Sequence, residues 1–269
     1  MTSGHRIRKE IQFLRAVAVT LVVLSHLQIG MFSGGFVGVD MFFVVSGFVI
    51  GLTMVNEQTS TGKVSLRRFF ERRFFRIYPP LAFMVVGASV YAYVVLAFDR
   101  SQDFFIQQAR AALFSYGNFF FMFHKMDYFL QDANSTFFLH TWSLGLEEQF
   151  YLTLPIFIAV LALVGRKKVF GDRILVWKAG FAALGIASLV CALAMYNGYL
   201  GWFSSEFRSV FVFYSTLTRA WEFFLGLLVA VVVTQRELSG DVQLHKKFSI
   251  VASLSIGTLV LVLIAHPAF

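Results

Sequence analysis

FVGVDMFFVVSGFVIGLTMV, residues 36–55, holds a single charged side chain, Asp40. A helix needs about 20 mostly apolar residues to cross a hydrocarbon core about 30 Å thick. The apolar residues here run on continuously and do not alternate, which reads as a membrane helix and not as a barrel strand. Backbone polar groups in a bilayer must be satisfied within the structure, so a stretch like this belongs to a helical bundle. The rest of the chain agrees. Of its 269 residues 58% are hydrophobic, 34 are Phe, and only 14% are charged, against about a quarter in a soluble domain.

Outward from 36–55, further spans are read at 11–30, 77–98, 146–165, 176–197, 209–233 and 248–265. The stretch 105–123 is more polar, with Gln107, Gln108, Arg110, Ser115 and Asn118. The net charge of +8 gathers in short connectors, so it reads as topology and not as nucleic-acid binding. The N-terminus, 63–76, 166–173 and 236–247 are basic, whereas 31–35, 124–145 and 198–208 are poor in Lys and Arg. The positive-inside rule places the first group in the cytoplasm and the second outside. An odd number of crossings must then lie between 76 and 124, which makes 105–123 an interfacial or re-entrant helix.

The expected fold is therefore all-α, a polytopic transmembrane helical bundle of about seven spans, N-terminus inside, in the inner membrane. No soluble domain is expected, so the chemistry belongs in the membrane or at its edge. The basic N-terminus followed by an apolar run mimics a signal peptide. However, Arg15 and His26 lie inside the run and no small-x-small site closes it, so it reads as the first span. The one cysteine, Cys191, reads as a small buried apolar residue.

Ionisable groups inside spans are costly and point to function. Arg15 and His26 are eleven residues apart, almost three whole turns, which puts them on one helix face about 16 Å apart along the axis. Asp40 opens the second span, where it can hold an imidazole in one tautomer or cap the helix. The neighbouring Ser46-Gly47 reads as small-residue helix packing. Arg68, Arg72 and Arg76 recur every fourth residue. A row of guanidiniums suits phosphate by bidentate contacts, and equally suits orientation and anionic lipid. Trp142-Ser143-Leu144 leads into Glu147-Glu148-Gln149-Phe150-Tyr151. Adjacent carboxylates face different ways on a helix, so at most one of Glu147 and Glu148 lines a given cavity, and the other can favour the helix N-terminus. Arg219 and Glu222 are one turn apart and can pair.

Taken together, these segments resemble acyltransferase family 3, membrane O-acyltransferases of bacterial surface polysaccharides, peptidoglycan and lipo-oligosaccharides. The resemblance rests on Ile11 to Val19 with His26, on Gly38-Val39-Asp40-Met41-Phe42-Phe43 through Phe48, and on Arg72 to Arg76 followed by Ile77-Tyr78-Pro79. It also rests on Trp142-Ser143-Leu144 with Glu147 to Tyr151, and on Arg219 to Glu222 with Gly226. It implies acyl-CoA, usually acetyl-CoA, as donor substrate, an extracytoplasmic glycan as acceptor, a catalytic histidine at His26, and donor-binding arginines at Arg72 and Arg76. Arg15 and Arg68 join the donor side, with Asp40, Glu147 or Glu148 beside the imidazole. Neither a metal nor a bound cofactor is expected. The resemblance also implies more spans in a complete member, so a single domain over 1–269 lacking its last helices is expected. Two other readings suit buried Arg, His and Glu in a bundle. One is a transporter or flippase, which should show inverted repeats with matched helix breaks. The other is a non-catalytic assembly component of glycan export, which should tolerate loss of the arginine row.

Overall fold

The computed structural model describes residues 9–27, 30–61, 65–95, 101–126, 136–164, 170–199 and 201–238. Every regular element among them is helical. In chain order they are α1 (Lys9–His26), a 3-10 segment (Gly30–Phe36), α2 (Val37–Thr61), α3 (Leu66–Val95), α4 (Ser101–Leu113) and α5 (Gly117–Phe123). A 3-10 turn (Leu139–Thr141) then leads into α6 (Trp142–Val164), α7 (Phe170–Tyr196), α8 (Ser205–Tyr214) and α9 (Thr216–Leu238). Four stretches among the described residues are long and apolar enough to cross a membrane: Gly34–Met54, Leu66–Val94, Leu175–Tyr196 and Ser205–Gln235. They answer to the expected spans at 36–55, 77–98, 176–197 and 209–233. The expected count of seven is not reached among the described residues. The apolar part of α1 is shorter, Ile11–His26, and α6 carries Glu147 and Glu148 in its second turn. The stretch 248–265 lies outside the described residues.

Three expected boundaries are corrected. The basic stretch read as a connector at 63–76 is helix from Leu66 onward, because α3 begins there and runs unbroken through Pro79 and Pro80. The expected single helix at 105–123 is two helices. After α4 the chain turns at Ser115, whose φ is 56°. Tyr116 N donates to Ala111 O and Ser115 N to Ala112 O, the paired bonds that close a helix around a left-handed residue. The expected span at 209–233 is also broken. Ser204 caps α8 by accepting from Phe207 N, and Ser215, with ψ 134°, separates α8 from α9.

The chain divides into two compact units. The first comprises 1–56, 169–182 and 222–269, and the second 57–168 and 183–221. In the first, glycine lets backbones meet. A Cβ on Gly38 would lie 2.4 Å from Ala18 O, which sets α2 directly on α1. A Cβ on Gly47 would lie 2.1 Å from Phe223 O, and one on Gly226 2.1 Å from Val44 O. The two glycines thus open reciprocal space for α2 and α9, as the Ser46-Gly47 pair predicts for membrane helices. Phe43 stacks on Phe223 at 4.7 Å, and Phe48, Ala230 and Val233 continue the seam. The first part of α7 joins through Phe181 against Phe224 and a Lys178–Gln235 hydrogen bond.

In the second unit, Leu81 and Val85 of α3 pack with Ala112 of α4 and Phe138. Phe121, Trp142, Leu146 and Tyr214 are buried nearby in sequence-distant elements, and Phe121 and Trp142 both pack on the Tyr214 ring.

Candidate acyl-transfer residues

In the first unit, His26 is the last residue of α1. Its side chain is exposed and its Nδ1 lies 2.8 Å from Val22 O, one turn back. A carbonyl only accepts, so Nδ1 carries the proton, and in the neutral ring Nε2 is then the basic nitrogen. Arg15 is half-buried on the same helix. Asp40 is half-buried in the first turn of α2, where a carboxylate is favoured by the helix dipole. Glu222, fully buried, also belongs to this unit.

In the second unit, Arg68, Arg72 and Arg76 fall on one face of α3 and all three are exposed. Arg68 reaches Glu57 at 3.8 Å. The residue that turns inward is Arg73. It lies at the fourth place after Phe69 on the row that continues through Ile77 to the buried Leu81 and Val85. Its guanidinium carbon sits 3.8 Å from the centroid of the Tyr151 ring and 5.8 Å from that of Phe69. Tyr151 is buried, and a desolvated stack of this kind contributes about 2 kcal/mol. Arg73 also acts electrostatically on Glu148, one turn before Tyr151 on α6. Among the described residues, Glu148 Oε1 is buried without a hydrogen bond.

Gln149, between these neighbours, points elsewhere. Its Nε2 donates to Asn118 Oδ1 at 2.7 Å and to Ser115 O at 3.3 Å. Its Oε1 accepts from Asn118 Nδ2 at 3.2 Å and from Thr216 Oγ1 at 2.6 Å. Asn118 Nδ2 donates in addition to Tyr214 O at 3.0 Å. Both helix breaks therefore end on one reciprocal carboxamide pair. A Cβ on Gly145 would lie 2.8 Å from Asn118 Oδ1, so α6 comes in close enough for the pair to form only where it has no side chain.

Trp142 begins α6 and is buried against Phe213, centroids 4.5 Å apart, and edge-on to Tyr214. Ser143 Oγ donates to His140 O. The Arg219 guanidinium lies 5.9 Å from the Trp142 and Phe213 centroids. The structure thus brings Trp142 together with Arg219, and Glu148 together with Arg73. The expected row of Arg68, Arg72 and Arg76 stays on the exposed face of α3. Arg73, Gln149 and Asn118 stand within the stretches that the sequence marks, but the sequence assigns none of them a role of its own. An arginine on the apolar every-fourth row of α3, and a glutamine next to the buried Phe150, were the available signals. Among the described residues, no group of three His, Cys, Asp or Glu side chains is placed to hold a metal ion.

A Bacillus subtilis (strain 168) protein named "Putative peptidoglycan O-acetyltransferase YrhL" is 31% identical over 241 residues, covering 89% of this chain and 36% of that protein. A Staphylococcus aureus (strain COL) protein, also named as a "Putative O-acetyltransferase", is 30% identical over 253 residues, covering 93% of this chain and 39% of its own length. The O-acetyltransferase OatA of Staphylococcus aureus (strain NCTC 8325 / PS 47) is 39% identical over 153 residues, 55% of this chain and 24% of that protein. The chain thus spans well under half the length of the relatives it matches. No solved structure matches it. The profile of the acyltransferase domain matches residues 8–268, so nearly the whole sequence, His26 and both units included, lies within the match, and the chain belongs to acyltransferase family 3.

Proposed function

We propose that this domain works in a membrane O-acetyltransferase that takes an acetyl group from cytoplasmic acetyl-CoA and places it on a hydroxyl of an extracytoplasmic glycan. The observation that carries the reading is the imidazole of His26 held through Nδ1 against Val22 O at 2.8 Å, the arrangement in which Nε2 is the basic nitrogen of the neutral ring, as a general base requires. The relatives' names, O-acetyltransferase and peptidoglycan O-acetyltransferase, support the acetyl group and a cell-wall glycan.

In this reading His26 Nε2 removes the proton of the acceptor hydroxyl as its oxygen attacks the thioester carbonyl carbon. The carbon–sulfur bond then breaks, coenzyme A leaves as thiolate, and the imidazolium returns the proton to sulfur. Asp40 offsets the imidazolium charge. Arg15 lies about 16 Å along α1 from His26, a length that the pantetheine arm covers, and it neutralises charge on the donor. Arg68, Arg72 and Arg76 bind the phosphates of the coenzyme by planar, charge-assisted contacts. One of Glu147 and Glu148 is the alternative carboxylate for balancing the imidazolium. Trp142, Ser143, Arg219 and Glu222 belong to the same set of site residues, with Arg219 supplying hydrogen-bond donors for the acceptor.

The test is transfer of labelled acetyl from acetyl-CoA to cell-envelope glycan in membranes holding the full protein. His26→Ala should lower the rate by about 10²–10⁴ while leaving the protein folded, since the ring is exposed. Undiminished transfer by that variant would sink the reading.

A further inference from the structure

Gln149 takes no part in the chemistry just described, yet its side chain makes four hydrogen bonds in the second unit. It and Asn118 each donate an amide N–H to the other's amide oxygen, which fixes both side chains at once. The pair then reaches Ser115 O at one helix break, and Tyr214 O and Thr216 Oγ1 at the other. A regular helix would need none of this, and buried polar groups cost free energy unless fully paired. Asn118 is fully buried. Both carboxamides are satisfied in full at the point where two helices are interrupted.

The consequence falls on Arg219. Thr216 opens α9, and Arg219 is one turn further on, its N–H bonded to Ser215 O. Thr218 Oγ1 donates to carbonyls around the break, among them Val212 O at 2.9 Å. On the far side, Ser188 Oγ donates to Leu217 O at 2.7 Å and accepts from Trp221 N at 3.0 Å. It lies across the rung that those two backbone groups form in a regular helix. The first turn of α9 is therefore pinned by α6 through Gln149 and by α7 through Ser188. Arg219 leaves the helix from this pinned turn, its guanidinium carbon 5.9 Å from the ring centroids of Trp142 and Phe213.

We propose that Gln149 is a positioning residue, acting through Thr216 to fix the turn of α9 that carries Arg219. The proposal rests on the reading of Arg219 as a site residue. Gln149→Leu tests it directly but strands Asn118, so Thr216→Val, which removes one hydroxyl and keeps the shape, is the cleaner probe. In the full protein, acetyl transfer and thermal unfolding are measured for Thr216→Val, Thr216→Ser, Arg219→Ala and the Thr216→Val/Arg219→Ala double variant. Thr216→Val should lower kcat about tenfold, within the range that small misplacements cost, with little change in KM for acetyl-CoA. Thr216→Ser, which keeps the donor, should restore the rate. With Arg219 already Ala, Thr216→Val should cost no further rate, while its effect on unfolding should be the same in both backgrounds. An equal loss of rate in both backgrounds would overturn the proposal, as would an unchanged rate in Thr216→Val or in Arg219→Ala. Failure of the proposed chemistry shows separately, as transfer that survives His26→Ala.

Discussion

The two units hold their helices together by opposite means. In the first, contact is backbone on backbone: Gly47 and Gly226 let α2 and α9 approach until a carbonyl fills the place of each missing Cβ. In the second, the close contacts gather at interruptions, where Gln149 and Asn118 bond to the carbonyls of Ser115 and Tyr214. Lipid gives no hydrophobic drive for helix association, so packing and interhelical hydrogen bonds remain. Packing suits unbroken helices, whose backbone groups are already paired. Hydrogen-bonding side chains are needed where a helix stops inside the bundle and its last carbonyls would otherwise face apolar surroundings. The first unit should therefore be intolerant of volume, and the second of lost polarity.

The largest expected effect is on the glycine seam. Gly47→Ala puts a methyl group 2.1 Å from Phe223 O. That atom is backbone, so relief requires α2 and α9 to separate along their length. Overpacking usually costs about 1–3 kcal/mol, and a clash with backbone should reach the top of that range or pass it. Thermal unfolding of the purified protein in detergent should show the variant melting far below wild type, or failing to accumulate. A Gly47→Ala protein with wild-type melting would mean that the seam is looser than described.

Next comes the polar centre. Gln149→Leu keeps the bulk but strands Asn118 and removes the partner of Thr216, at about 1–3 kcal/mol for each buried group left unpaired. Asn118→Leu should cost a similar amount. The double variant should cost less than the two added together, because the groups that the pair satisfied in each other are gone together. Strict additivity in unfolding experiments would show that the two carboxamides do not act as a unit.

The contrast also marks what the sequence made legible. The helical class, the position of α2 and the use of Gly47 follow from composition and spacing, because apolar runs and small residues are local signals. The break after α4 does not, since its left-handed position is taken by Ser115 and not by glycine. Without glycine, the usual mark of that cap is missing. The break at Ser215 is hidden for a related reason. The residues that satisfy it, Asn118 and Gln149, are distant in sequence, and each by itself reads as a polar residue in an apolar stretch. Arg73 was hidden by its company. Among six basic residues between 63 and 76, only recognition that the stretch is helix separates it from Arg68, Arg72 and Arg76 and puts it in line with Phe69 and Leu81.

Arg73→Met sharpens the comparison from within α3. It keeps much of the side-chain length and removes the charge above Tyr151. The lost stack should cost about 1–2 kcal/mol, less than the loss of Gln149, because Tyr151 keeps its edge-on contact with Phe69 at 6.2 Å. Unfolding measured beside Arg72→Met separates the roles. Arg72 is exposed, so its replacement should leave stability within about 0.5 kcal/mol. Equal losses for the two would mean that the 3.8 Å stack adds nothing to the packing of α3 on α6.

The smallest effect, and of opposite sign, belongs to Gly87. It lies in α3, in the second unit, and a Cβ built there meets nothing within 4 Å. Glycine inside a helix is less favourable than alanine by about 0.5–1 kcal/mol, because it gives up more backbone freedom on folding. Gly87→Ala should therefore leave melting unchanged or raise it slightly, under the conditions in which Gly47→Ala lowers it steeply. The pair makes the same chemical change in two membrane-length helices and differs only in what the added methyl group meets. If both variants lost stability alike, the cost would lie in the substitution and not in the close approach of α2 and α9. The division between a unit that excludes volume and a unit that requires polarity would then have no basis.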